Sequence, residues 1–223
     1  MTRVLNSVSQ VETTADYVHI SFSSPQRILS SAVLNGGFVQ ADHILNWKVS
    51  GDPSISEAPD KSLREFALQQ GWQGEVVGMM TAASMNSFRM EQVSQQGIDF
   101  TVLVTSGLSN ARRAGDKADI QDILLTSKEI GTINLVLICS AQLTDAAMVE
   151  AIMVATEAKA AALQEAGIES LVSGGVATGT GTDSIAVVSG DGPATIEFCG
   201  KHVLLGEWIG RLVLKVVSDS ISE

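Results

Sequence analysis

Apolar residues recur along the 223-residue chain with two different periods. A period of two, carried by β-branched and aromatic residues, predicts strands at Tyr17 to Phe22 and Arg27 to Leu34 around a Ser-Ser-Pro turn. It also predicts a short buried strand at Glu75 to Met80, and a hairpin of Ser87 to Gln95 with Ile98 to Thr105 around Gly97. Gly131 to Ser140 is apolar at almost every position, as in a central strand covered on both faces. Ile185 to Ser189 and Thr195 to Cys199 form another strand pair across a Gly-Asp-Gly-Pro turn. A helical period marks Ser62 to Gln70, with Ser62 as cap and Gly71 as stop. It returns at Thr144 to Ala166, capped by Thr144 and ended by Gly167, and at Gly206 to Ser218 with Trp208, Leu212 and Val216 facing in. Gly51 to Asp60, with two prolines and several acids, is expected to be a surface loop.

Strands lead, helices interleave, and neither a low-complexity linker nor an internal repeat divides the chain. The expectation is one domain over residues 1–223, of α/β class (α+β mixed), layered, with mixed β-sheet(s) covered by helices. One position breaks the pattern. Met148, Ile152, Ala155, Lys159 and Ala162 share a helix face, which puts a lysine inside an apolar stripe. Its stem could cross the stripe and keep the ammonium in water. The other reading gives it a buried partner, Asp183 or Glu207. Glu157 falls on the opposite, solvated arc.

Composition narrows the partners. With 45% hydrophobic and 17% charged residues a sizeable core is available, and the net charge is -11. So acidic a chain has no broad basic face for nucleic acid, and an anionic membrane surface would repel it. The expected ligand is neutral, cationic or largely apolar. No signal-peptide pattern opens the chain, no run of about 18 apolar residues occurs, and Cys139 and Cys199 stand isolated. A cytoplasmic location with two buried thiols follows as the expectation. No metal-ligand spacing stands out, so no protein-bound metal is expected. A homo-oligomer is compatible with the sequence, which leaves oligomeric state open.

Five polar, glycine-containing clusters end apolar strands: Leu34 to Gly37, Thr105 to Ala111, Gly131 to Asn134, Ala177 to Asp183, and Gly200 to His202. Ligands bind at strand ends in open α/β sheets. In Ala177 to Asp183, Gly179 and Gly181 allow close backbone approach, Thr178, Thr180 and Thr182 bring hydroxyls, and Asp183 a carboxylate. It is neither a dinucleotide fingerprint nor a P-loop. Amide hydrolysis needs an activated nucleophile, oxyanion donors and an acid for the leaving amine. His202 is the best acid/base by residue type, or else a surface histidine beside Lys201. Asp183 is its orienting partner or itself the base, or else a turn carboxylate. Asn35, Asn110 and Asn134 are candidate amide contacts and equally common turn residues. Arg112 and Arg113 form surface ion pairs with Asp116, or Arg113 grips a polar substituent.

The same segments resemble the adenosylcobinamide amidohydrolase family. The matching pieces are Ser31 to Gly37, Gly107 to Asp116, Gly131 to Asn134, Ala155 to Lys159, Ala177 to Asp183, and Gly200 to His202 with Leu205 to Glu207. They follow the family's order across about Ser30 to Gly210. The resemblance implies a corrinoid-salvage enzyme that cleaves the aminopropanol amide of adenosylcobinamide to give adenosylcobyric acid, some members also taking complete cobamides. The corrin's cobalt would arrive with the substrate. Glu157 and Lys159 thereby become site candidates, with Asp183 or Glu157 to activate water and His202 as acid. Asn35, Gly36, Gly37, Asn110, Arg113, Asn134, Thr178 to Thr182 and Glu207 become candidate contacts. Ser106 stands where the family often carries alanine, which counts against an obligatory nucleophile. The Gly-Thr-Ile-Asn strand, the helix after it and the Gly-rich segment are also similar to aminopeptidases and ornithine acetyltransferases with N-terminal nucleophiles. That similarity implies two sheets stacked between helix layers and a threonine or serine hydroxyl as nucleophile, with Thr178, Thr180 and Thr182 as the candidates for an acyl-transferring or self-processing hydrolase. A non-catalytic corrinoid carrier is the remaining alternative.

Overall fold

The structure is a computed structural model that describes residues 1–5, 9–49, 58–120, 122 and 132–222. Most of the predicted Gly51 to Asp60 loop, and Gly131, lie outside them. In chain order the strands are β1 (Thr2–Val4), β2 (Ser9–Thr13), β3 (Tyr17–Ser30), β4 (Gly37–Lys48), β5 (Val76–Thr81), β6 (Arg89–Gln95), β7 (Ile98–Ser106), β8 (Ala111–Arg112), β9 (Ile133–Leu143), β10 (Gly179–Thr180) and β11 (Ser184–Ile196). The helices are α1 (Pro59–Gln69), α2 (Asp145–Glu165) and α3 (Leu204–Ile221).

Nine strands make one mixed sheet in the order β1-β2-β3-β11-β9-β7-β6, with β4 on the free side of β3 and β5 on β4. The β9–β11 and β4–β5 pairs are parallel and the others antiparallel. The sheet folds back on itself, so that β4 and β5 lie over β9 and β7. Asn46 of β4 donates to Thr105 Oγ1 at 2.7 Å, and Asn134 of β9 donates to the Met80 carbonyl at 2.9 Å.

Strand alternation sorts the core into three layers. Ile44, Val77 and Met79 meet Leu103, Val136, Ile138, Ala186 and Val188 between the two parts of the sheet. The other face of β7, β9 and β11, with Val104, Ile133, Leu135 and Val187, packs under α2 and α3. Leu45 and Val76 pack under Leu63 and Ala67 of α1. The layer order is α, β, β, α, with both sheet parts belonging to one continuous sheet.

Four local expectations are corrected. The Ser-Ser-Pro segment is no turn: β3 runs straight through it, and its register with β4 shifts between Ser21 and Gln26. β11 likewise passes through Gly-Asp-Gly-Pro, with register shifts at Gly192 and Thr195. Glycine and proline mark bulges as readily as turns. A Cβ on Gly192 would stand 2.6 Å from the Ser140 carbonyl oxygen, so the bulge itself requires glycine. Strand β4 went unpredicted. Helix α1 starts earlier than Ser62, because Pro59 pre-sets the first turn, and its cap residue Ala58 makes no side-chain bond. By contrast α2 begins as the sequence indicates, with Thr144 Oγ1 accepting from Ala147 N at 3.2 Å.

Candidate active site

Asp183 closes the Ala177 to Asp183 segment and gathers four donors onto its carboxylate. Oδ1 accepts from Ile133 N at 2.9 Å and from the Thr180 hydroxyl at 2.5 Å. Oδ2 accepts from Thr180 N at 3.0 Å and from the Lys159 ammonium. Lys159 reaches it from α2, with its side chain 7% exposed and that of Asp183 12%. A carboxylate offers about four lone-pair sites, so in this arrangement all are occupied. The mid-stripe lysine therefore has a buried partner, and of the two alternatives it is Asp183. Gly179 faces this pair without a side chain. A Cβ there would collide with Asp183 Oδ2 and stand 2.9 Å from Lys159 Nζ.

The turn draws other predicted segments to it. β10 pairs antiparallel with β8, setting Gly179 opposite Arg112 and Thr180 opposite Ala111. Thr178 donates its N–H to the Arg112 carbonyl at 2.9 Å and accepts Ala114 N on Oγ1 at 2.8 Å. Thr132 donates to the Thr182 carbonyl at 2.6 Å, and its own carbonyl accepts Gly107 N at 3.0 Å. Ser31 exchanges bonds with Ile185, to its carbonyl at 3.1 Å and from its N–H at 3.2 Å. Three of the five clusters thus converge on Asp183, and Ser31, three residues ahead of the Leu34 to Gly37 cluster, reaches β11 beside it. Gly181 and Thr182 are exposed at the tip.

Other candidates are placed differently. Asn134 is 2% exposed and held between the sheet layers, donating to Asn46 Oδ1 at 2.8 Å and to the Met80 carbonyl. Beside it is a cavity of about 10 Å³, lined by Asn46, Thr105 and Asn134 among apolar side chains. That is room for about one water, not for a macrocycle. Asn46 was missed as a polar group; its only signal was an asparagine inside the apolar run Ile44 to Trp47. Asn35 has φ 54° and donates to Glu75 Oε2 at 3.0 Å and the Val76 carbonyl at 2.8 Å. Gly36 and Gly37 after it are exposed, and Gly37 has φ 83°.

Arg112 pairs with Asp119, and Asp116 takes instead Arg113 N at 2.7 Å and the Ser170 hydroxyl at 2.5 Å. Hydrogen bonds from Ser170, Ser173 and Arg113 hold the Asp116 carboxyl below the usual range. The exposed Arg113 side chain lies along Gly175, 3.4 Å from where a Cβ would stand. Glu157 is exposed and pairs with Lys201. His202 and Glu207 are exposed near the start of α3. Residues two apart on a helix differ by about 200° around its axis. The Glu157–Lys201 pair accordingly stands on the outside of α2, with His202 next to it in sequence and Lys159–Asp183 on the opposite side of the helix. Among the described residues no hydrogen bond or ion pair joins His202 to Asp183, no group of three or more His, Cys, Asp or Glu could hold a metal, and no helix is long and apolar enough to cross a membrane.

Comparison with known proteins agrees with these motifs. The chain is 30% identical over 203 residues to an adenosylcobinamide amidohydrolase of Methanosarcina mazei, covering 86% of this chain and 88% of that one. It is 34% identical over 161 residues to an uncharacterised protein of Methanocaldococcus jannaschii, covering 66% of this chain and 63%, under two thirds, of that one. A solved L-aminopeptidase D-Ala-esterase/amidase from Ochrobactrum anthropi, described as a variant of the Ntn hydrolase fold, aligns over 96% of this chain and 81% of its own, with 10% identity and a TM-score of 0.42. The adenosylcobinamide amidohydrolase family model matches residues 2–223. Four of the matched segments meet at one buried charge pair, and with the family model and the Methanosarcina mazei relative the chain belongs to the adenosylcobinamide amidohydrolase family, whose members are hydrolases of an amide C–N bond.

Proposed function

We propose that the chain cleaves the amide joining the aminopropanol arm of adenosylcobinamide to the corrin ring, giving adenosylcobyric acid and the amino alcohol in cytoplasmic corrinoid salvage. Complete cobamides are further substrates in this scheme. The observation that carries it is the buried Lys159–Asp183 pair, built from two separate family-matched segments at the base of an exposed turn. Cobalt belongs to the substrate, and the scheme uses no cofactor of the protein's own. An acidic protein suits a cationic, largely apolar macrocycle.

Water adds to the acyl carbon, the C–N bond breaks, and the amine leaves with a proton. Asp183 takes the water's proton when the Thr180 hydroxyl turns away from Oδ1, while Lys159 and the backbone donors keep the carboxylate oriented. Backbone amides of Gly36, Gly37 or Gly181 face the developing oxyanion. His202 protonates the leaving amine, which requires the substrate to reach from the turn to the outer side of α2, where Glu157 and Glu207 can contact it. Incubating the pure protein with adenosylcobinamide and looking for adenosylcobyric acid by mass spectrometry tests the proposal. No product over a broad range of pH and temperature refutes it.

One contact favours a second reading. The Thr180 hydroxyl donates to Asp183 at 2.5 Å, the geometry of a hydroxyl nucleophile with its base. Thr180 Oγ would then attack the acyl carbon, its proton passing to Asp183. The C–N bond breaks, the amine leaves with a proton from His202, and water later hydrolyses the ester to release the acid and restore the hydroxyl. That route predicts a covalent acyl-enzyme by intact mass and loss of turnover in Thr180→Ala. Direct hydrolysis predicts no adduct and surviving activity.

A further inference from the structure

Buried polar side chains in this fold almost all have partners. Among the described residues the buried atoms without one are Thr101 Oγ1, Ser106 Oγ and both the Nδ2 and Oδ1 of Asn110. Thr101 sits in mid-strand opposite Ile138, inside the closed core between the sheet layers. Ser106 and Asn110 are different, because they bracket the turn between β7 and β8 beside the Asp183 cage. Ser106, 8% exposed, stands opposite Ile133, whose N–H binds Asp183 Oδ1. Asn110 precedes Ala111, which stands opposite Thr180, the donor of two further bonds to Asp183. Cross-strand partners share a face, and Ile133 belongs to the core under α2 and α3. Ser106 therefore lies on the side of the sheet from which Lys159 reaches Asp183.

A buried polar group left unpaired is destabilising. Three such atoms on one turn, next to the site's charge pair, are groups reserved for something that arrives. Their chemistry says what. A carboxamide whose donor and acceptor are both free is the complement of a second carboxamide, Nδ2–H to its carbonyl and Oδ1 to its N–H. A secondary amide is trans and holds its N–H and C=O on opposite sides, so it can make only one of these bonds. A primary carboxamide makes both, and its second N–H remains for a hydroxyl oxygen such as Ser106 Oγ. A carboxylate would place an acceptor against the Asn110 acceptor.

We infer that Asn110 and Ser106 form a primary-carboxamide subsite beside the Asp183 turn. For a corrinoid, whose rim carries primary carboxamides around the one secondary amide that is cleaved, the subsite positions the macrocycle rather than the scissile bond. This last step rests on the proposed substrate; the subsite itself does not.

The test compares wild type, Asn110→Leu and Ser106→Ala by thermal unfolding with propionamide or propionate, and by adenosylcobinamide kinetics. Without ligand both variants should melt no lower than wild type, since an unpaired buried group has gone. Propionamide but not propionate should raise the wild-type midpoint, with the rise lost in Asn110→Leu and reduced in Ser106→Ala. KM for adenosylcobinamide should rise at least about tenfold in Asn110→Leu with kcat within a few-fold. No propionamide-dependent rise in wild type, an equal rise in the variants, or a KM unchanged within twofold overturns the subsite; Ser106→Ala decides the matter if Asn110→Leu does not fold. Should wild type fail to cleave adenosylcobinamide yet show the Asn110-dependent rise, the substrate assignment falls and the subsite stands.

Discussion

Acid should destabilise this protein through one histidine, by an amount the structure allows to be worked out. His19 is 7% exposed, stacks on Trp72 with ring centroids 3.6 Å apart, and has Nε2 3.1 Å from His43 Nδ1. His43 Nε2 meets the Gln73 carbonyl at 2.9 Å. A carbonyl only accepts, so that nitrogen carries the proton, and in neutral His43 the Nδ1 must accept from His19 Nε2–H. The other ring nitrogen of His19, Nδ1, lies 3.9 Å from Glu12 Oε2. Burial, then repulsion from His43, lowers the His19 pKa from 6.5 to about 4. Since the folded value is the lower one, the unfolded chain binds more protons between the two, and stability falls as pH drops from about 6.5 to about 4. The full loss is about 3 kcal/mol, and at a pH of about 5 the linkage relation gives about 2 kcal/mol. The assay is urea unfolding followed by tryptophan fluorescence and circular dichroism at pH about 7.5 and about 5, for wild type and His19→Gln. The carboxamide can still donate to His43 but does not titrate. Wild type should lose about 2 kcal/mol more than the variant on acidification; equal losses, within about 0.5 kcal/mol, would falsify the account.

Three other outcomes are expected. Asp183→Asn or Lys159→Met leaves one buried charge without its partner and should cost about 3–5 kcal/mol by urea unfolding, the double replacement recovering part of the loss. Gly179→Ala drives a methyl into the same pair; turnover of adenosylcobinamide should fall with about 1–3 kcal/mol of stability, whereas Gly181→Ala, at the exposed tip, should leave stability within about 0.5 kcal/mol. Burial pushes the Cys139 thiol up to about 11 and that of Cys199 up to about 12, so a thiol-specific reagent at pH about 8 should label neither until the protein unfolds.

The sequence was most legible where a residue conflicted with its own element. Lys159 interrupts an apolar helix face, and burying an ammonium demands a partner; Asp183, named with Glu207 as the alternatives, is where it goes. Thr144, the β6–β7 hairpin and the doubly apolar β9 were readable for a related reason, since each is decided by residues close together in the chain. The long strands were not. Pro25 in β3 and Gly190 to Pro193 in β11 carry every local mark of a turn. Whether such residues bend a chain back or bulge a continuing strand depends on the partner strand. For β11 that partner is β9, about fifty residues away in sequence.

The same dependence on distant partners separates the candidate site residues. Asp183, Lys159 and Gly179 interlock so tightly that their side-chain types are almost dictated by geometry, given the neighbouring backbone. Asn134 has the same kind of sequence setting, a polar residue opening an apolar strand, yet its side chain is consumed by Asn46 and Met80 from a strand layer the sequence did not reveal. Asn110 sits in an equally ordinary turn and finds no partner at all. Three asparagines at strand ends looked alike as sequence. What distinguishes them is how many of their hydrogen bonds the fold has already made, and that count singles out Asn110 as the one with most left to offer a ligand.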